Sequence, residues 1–205
     1  VNDDTFVHRA VDPGELADRA GSGGRAGDRA GDTVVVGVVV PVPEPWAQLL
    51  VDWRAKVGDP QASMVPPHVT LLPPTAVPVA ERTAVTEHLC RVAAAHPAFD
   101  VHLAGTGTFR PISEVVFVAV ALGIADCELI AADVRSGPLE RSLNFPYHPH
   151  VTVAQDVPTD MLDLAYAGLS EVQAEFRVDH FQEFEQRPGG EWTIARRYPL
   201  TGPPR

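Results

Sequence analysis

The chain has 205 residues, 45% of them hydrophobic and 21% charged, which is enough to bury one sizeable core. Its net charge is −11, from 16 basic against 27 acidic residues, and Lys56 is its single lysine. That balance argues against an extended grip on nucleic acid, which works through many phosphate contacts on a basic face, but leaves room for a pocket that takes a small nucleotide or an RNA end.

No apolar run is long enough to span a bilayer and no signal peptide is recognised, so no membrane association is expected. Residues 1–32 read as a disordered tail, because the stretch 20–31 is rich in glycine and has little to bury. Residues 33–40 are β-branched and almost wholly apolar, the pattern of a strand covered on both faces. A helix follows from Glu44-Pro45-Trp46, with Leu49, Leu50, Trp53 and Val57 at helical spacing, and Gly58-Asp59-Pro60 closes it. Residues 65–72 predict a strand ended by Pro73-Pro74, 78–95 a second amphipathic helix, and 98–108 a strand. The order then recurs: a strand over 115–122, a helix over 126–136 stopped by Gly137-Pro138, and a strand over 148–154. A short helix over 158–169, one long strand over 171–185, a turn at Gly189-Gly190 and a closing strand over 192–200 complete the chain. Cys90 and Cys127 fall in the helical segments and read as buried thiols of a protein in a reducing cytoplasm.

Two strands carry the same phrase. Pro67-His68-Val69-Thr70-Leu71 and Pro149-His150-Val151-Thr152-Val153 share the pattern Pro-His-Val-Thr-aliphatic. Alternation along a strand puts His and Thr on one face and the valine between them on the other. The repeat also has a register: Thr33 to His68 and Val115 to His150 are both 35 positions apart (68 − 33 and 150 − 115). Strand, helix, phrase, helix, strand thus occurs twice, which predicts an α+β, duplicated, two-lobed fold over residues 33–205. The lobes, about 33–109 and 115–200, are each expected to be an antiparallel-rich sheet with helices outside. A pseudo-two-fold axis about a central cleft would bring His68 to His150, and a monomer is expected.

Such a cleft would hold two imidazoles and two hydroxyls. Histidine is half-titrated near neutral pH, so one ring takes a proton while the other gives one, and Thr70 and Thr152 hold the oxygens of the group under attack. Phe109 and Arg110, at the end of a strand, are candidates for stacking on a base and touching a phosphate; core packing and a solvated arginine are their plainer readings. Tyr147 is placed to bond substrate or to wedge the turn before the second phrase. His148 shares a face with His150, so His68, His148 and His150 also form a candidate metal set, which would make a metal-dependent hydrolase. A nucleotide- or RNA-end-binding module without turnover is the other alternative.

The paired His-x-Thr strands, with Thr106-Gly107-Thr108-Phe109-Arg110-Pro111 leading into 115–118 and Phe145-Pro146-Tyr147-His148 before the second phrase, resemble the 2H phosphoesterase superfamily, which includes the bacterial RNA 2′,3′-cyclic phosphodiesterases once called 2′-5′ RNA ligases. The resemblance implies a water-filled cleft and metal-free, cofactor-free hydrolysis of a cyclic phosphodiester. His68 and His150 would be the acid/base pair and Thr70 and Thr152 the phosphate holders. For a 2′-phosphate product it implies His150 as base and His68 as acid. One departure matters: where many relatives carry a basic residue after the second motif this chain has Gln155, which favours a small cyclic nucleotide or another small cyclic phosphate and leaves an RNA end as the alternative.

Overall fold

The computed structural model describes residues 32–143, 145–187 and 190–204. The predicted tail, apart from its last residue, and Gly189 of the predicted turn lie outside these. In chain order the elements are β1 (Thr33–Pro41), α1 (Trp46–Lys56), β2 (His68–Pro78), α2 (Arg82–Ala95), β3 (Phe99–Thr108), β4 (Val115–Leu122) and α3 (Ile124–Val134). Then come β5 (His150–Gln155), α4 (Thr159–Gly168), β6 (Gln173–Val178), β7 (His180–Gln186) and β8 (Trp192–Pro199).

All eight strands join one sheet in the order β6-β3-β4-β5-β2-β1-β7-β8, with antiparallel pairing throughout. The two halves meet where β5 lies beside β2. The strands interleave: β3, which ends the first sequence repeat, pairs with β4 of the second, and β7 of the second repeat returns to pair with β1 of the first. Helices cross in the same way, since α1 packs on β5 and α3 on β2. Each repeat is therefore tied to the other through both sheet and helices.

One face of the sheet makes the core. Val36, Val38, Val69, Leu71, Val151 and Val153 are all completely buried there, with Leu89, Ile130 and Leu162 from the helices. Fully burying a valine stabilises by about 1.5–3 kcal/mol, so each phrase is pinned by its middle residue. The opposite face carries the histidines and threonines.

Three readings are corrected. β2 does not stop at Pro73-Pro74 but runs to Pro78. Leu72 pairs with Val38 and Thr75 with Val36, so the two prolines lie in a bulge opposite the single residue Gly37. A bulge is where a strand tolerates residues that donate no ladder hydrogen bond. The long strand expected over 171–185 is two strands that break at Asp179, because β6 pairs with β3 at one edge while β7 crosses to β1 in the other half. The alternation shows the break: Ala174 and Val178 are buried on one phase, Phe181 on the other. Cys90 is exposed on α2, whereas Cys127 is buried, with its thiol pushed up to about 12 by burial and by the neighbouring Asp126 and Glu128. Among the described residues no helix is long and apolar enough to cross a membrane.

Candidate active site

The site begins with one pairing. Val69 of β2 is registered against Val151 of β5, antiparallel, so one step along β2 is one step back along β5. The middles of the two phrases thus face each other across the sheet's centre. His68 lies across from Thr152, and His150 from Thr70. The local pseudo-two-fold passes between the two valines.

Each imidazole is held in the same way. His68 Nδ1 is 2.7 Å from the Pro66 carbonyl and His150 Nδ1 is 2.7 Å from the His148 carbonyl. A carbonyl only accepts, so Nδ1–H donates in both, which leaves Nε2 as the nitrogen that takes or gives a proton. Both residues are half-buried. Burial lowers the proton affinity of each below the ordinary histidine value, opposed in each by the Nδ1 hydrogen bond. The charges of Arg54 and His150 lower that of His68 further, and the charge of His148 lowers that of His150.

A cleft of about 250 Å³ opens beside His68, with Thr70, Thr152 and Gln155 on its lining. Among its lining residues there is one cation, Arg54, and no carboxylate, although the chain as a whole is strongly acidic. Arg54 is buried on α1 and doubly held: Nε donates to Asp59 at 2.8 Å and Nη1 to the Val65 carbonyl at 2.7 Å. It thereby fastens the loop that delivers Pro66 and His68. Sequence reasoning passed over Arg54, Trp192, Phe184 and Gln61. A basic and an acidic residue flanking the end of a helix were the only signal for the first.

His150 sits differently. Its ring lies 5.0 Å from Phe109, edge to face, and 5.1 Å from Phe117, while those two phenylalanines are 4.6 Å apart. Gly107 makes this possible, since a methyl group there would fall 2.5 Å from the Phe117 ring on the paired strand. Phe109 is thus engaged as a wall for His150. Arg110 turns away to α4, where its guanidinium pairs with Asp163 at 2.8 Å. The Tyr147 hydroxyl donates to the Thr70 carbonyl at 2.8 Å and its ring lies under Arg135, bracing β2 against the turn before β5; burial pushes its phenol up, so it stays a donor. His148 is exposed and lends its carbonyl to His150. Among the described residues no three of His, Cys, Asp and Glu gather as a metal set, so His68, His148 and His150 do not converge.

The family model for the 2′-5′ RNA ligase superfamily matches residues 41–189, a span that contains both phrases. The chain belongs to this superfamily, the 2H phosphoesterases. Among curated proteins, the chain is 27% identical over 166 residues to "Putative phosphoesterase BH1439" of Halalkalibacterium halodurans, covering 80% of this chain and 96% of that one. A protein of the same description in Bacillus pumilus is 28% identical over 166 residues, with 79% and 95% covered. Among solved structures, E. coli LigT complexed with NADP+ superposes with a TM-score of 0.62 at 22% identity, over 83% of this chain and 99% of LigT, a likeness of fold. TT0787 of Thermus thermophilus gives 0.58 at 25% identity, over 82% and 98%. The antiparallel α+β architecture predicted from the duplicated register is therefore that of the 2H phosphoesterases.

Proposed function

We propose that this 2H phosphoesterase opens a 2′,3′-cyclic phosphodiester, on a nucleotide or at an RNA end, with water and without a metal. The observation that carries the reading is the Val69–Val151 register, which makes the two His-x-Thr phrases face one another about a local two-fold. Opening the ring needs a base on one side of phosphorus and an acid on the other, and paired imidazoles with free Nε2 atoms meet that need. One imidazole takes a proton from water as its oxygen bonds to phosphorus. As the P–O3′ bond breaks, the other imidazole protonates O3′, leaving a 2′-phosphate. For that product the family resemblance makes His150 the base and His68 the acid. Thr70 and Thr152 hydroxyls donate to the non-bridging oxygens, whose negative charge grows in the transition state. Arg54 is already paired with Asp59, so the lining would meet an anion through His68 and the two threonine hydroxyls, with no carboxylate among the lining residues to oppose it.

Incubation with 2′,3′-cyclic nucleotides in excess chelator, followed by identification of the product isomer, tests this directly. Release of a 2′-phosphate, abolished in both His68→Ala and His150→Ala, is the expected result. Binding without turnover would make the protein a nucleotide-binding module, and activity lost to chelator would require a metal.

A further inference from the structure

We propose that the wall formed by Trp192 and Phe184 over Gly37 holds the aromatic base of a nucleoside phosphate, which makes the ligand a nucleotide and not a base-free sugar or polyol phosphate. This deepens the phosphodiester reading above and rests on it for the position of the phosphate. The wall is built by register. Val39 of β1 pairs with Thr70, which places odd-numbered β1 residues on the cleft face; Gly37 pairs with Phe184 on β7, and Gln186, two residues on, pairs with Trp192 on β8. Gly37, Phe184 and Trp192 consequently share the face of His68 and Thr70, and all five line the same cleft.

Gly37 is the informative member. It lies inside a strand, where glycine loses more entropy than other residues and contributes no packing. Its backbone is not in the left-handed region. Nor is a side chain excluded by crowding: a methyl group there would meet the Leu72 carbonyl at 3.6 Å and the Trp192 ring at 3.7 Å, ordinary contact distances. What glycine leaves at this point is open floor beside an indole, the arrangement a flat ring needs. Phosphate has no use for such a wall, and the hydroxyls of a polyol would lose water against it without gaining partners. The aromatic surfaces beside His150, Phe109 and Phe117, are already packed against its ring.

Steady-state kinetics on adenosine 2′,3′-cyclic phosphate and glycerol 1,2-cyclic phosphate test the inference. Base–aromatic stacking lost on truncation to alanine corresponds to roughly 5- to 140-fold in affinity. Trp192→Ala should therefore lower the ratio of kcat/KM for the adenosine over the glycerol substrate by about that factor, through KM. Trp192→Phe should restore most of it, and Gly37→Val, which fills the floor, should lower the ratio again. An unchanged ratio in all three variants overturns the proposal. A second readout needs no turnover: adenosine 2′-monophosphate should quench indole fluorescence in the native protein and lose that quench in Trp192→Phe, where Trp46 and Trp53 remain. If neither cyclic phosphate is cleaved yet the quench behaves so, the base wall stands and the hydrolysis reading falls. If both are cleaved and the quench survives in Trp192→Phe, the wall falls and hydrolysis stands.

Discussion

The two phrases are nearly the same five residues, and the protein puts them in unlike surroundings. His68 faces an open cleft, with buried Arg54 fastening its loop and Trp192 across the floor. His150 is walled by Phe109 and Phe117. Backbone symmetry makes the two imidazoles equivalent in tautomer and aim, since both donate from Nδ1 to the carbonyl two residues back. The surroundings make them unequal. The repeats thus match in the strands that carry the phrases and differ in what packs around each imidazole.

The largest effects should come from the histidines. Each replacement by alanine is expected to lower kcat by about 10²- to 10⁴-fold. The comparison sharpens with a substrate whose leaving group needs no proton, such as an aryl phosphodiester. It should rescue His68→Ala, which removes the acid of the proposed mechanism, and leave His150→Ala inactive; equal rescue of both would refute that assignment. Next, Thr70→Ala and Thr152→Ala should each cost up to about 10²-fold in kcat with less effect on KM, the mark of a contact that strengthens in the transition state.

Gly107→Ala probes the His150 wall alone. Its new methyl drives the Phe117 ring toward His150, for a stability cost of about 1–3 kcal/mol by chemical denaturation. Activity should fall with it, and Phe117→Leu in the same chain should recover part of both. A loss of stability with unchanged kcat would show the wall to be packing only.

The smallest effect is a pH slope. Burial makes both imidazoles hold protons less tightly than the ordinary value of 6.5. On acidification the unfolded chain therefore binds protons before the folded chain does. The stability tied to these rings is complete above about 6.5 and is lost as pH falls below it toward their folded-state values. Denaturation curves of His68→Gln and His150→Gln across that window should decline less steeply than those of the parent. A parent-like slope in both would mean the rings are not desolvated.

Much of this is legible in the chain. The strand and helix of each repeat announce themselves through apolar periodicity, and β4 spans the bounds its apolar run predicts. Local patterns fail where the answer lies in a distant partner. Nothing near Pro73 says that a bulge opposite Gly37 will carry β2 through two prolines. The break at Asp179 is visible only as a slip in the alternation, and its meaning requires knowing that β6 and β7 belong to different halves of the sheet. Arg110 looks free for a phosphate because Asp163, its ion-pair partner, is 53 positions away (163 − 110).

By itself the sequence determined which chemical groups are available and which strand faces they occupy, because alternation along an extended chain is a local property. The phrase repeat likewise implied a pair. Tertiary structure decided everything that depends on non-local pairing: the Val69–Val151 register that turns the phrases toward each other, the crossing of β3 and β7 that locks the repeats together, and the delivery of Arg54 and Trp192 to the cleft. Those contacts join residues far apart in the chain, and only burial of one shared core fixes which of them meet.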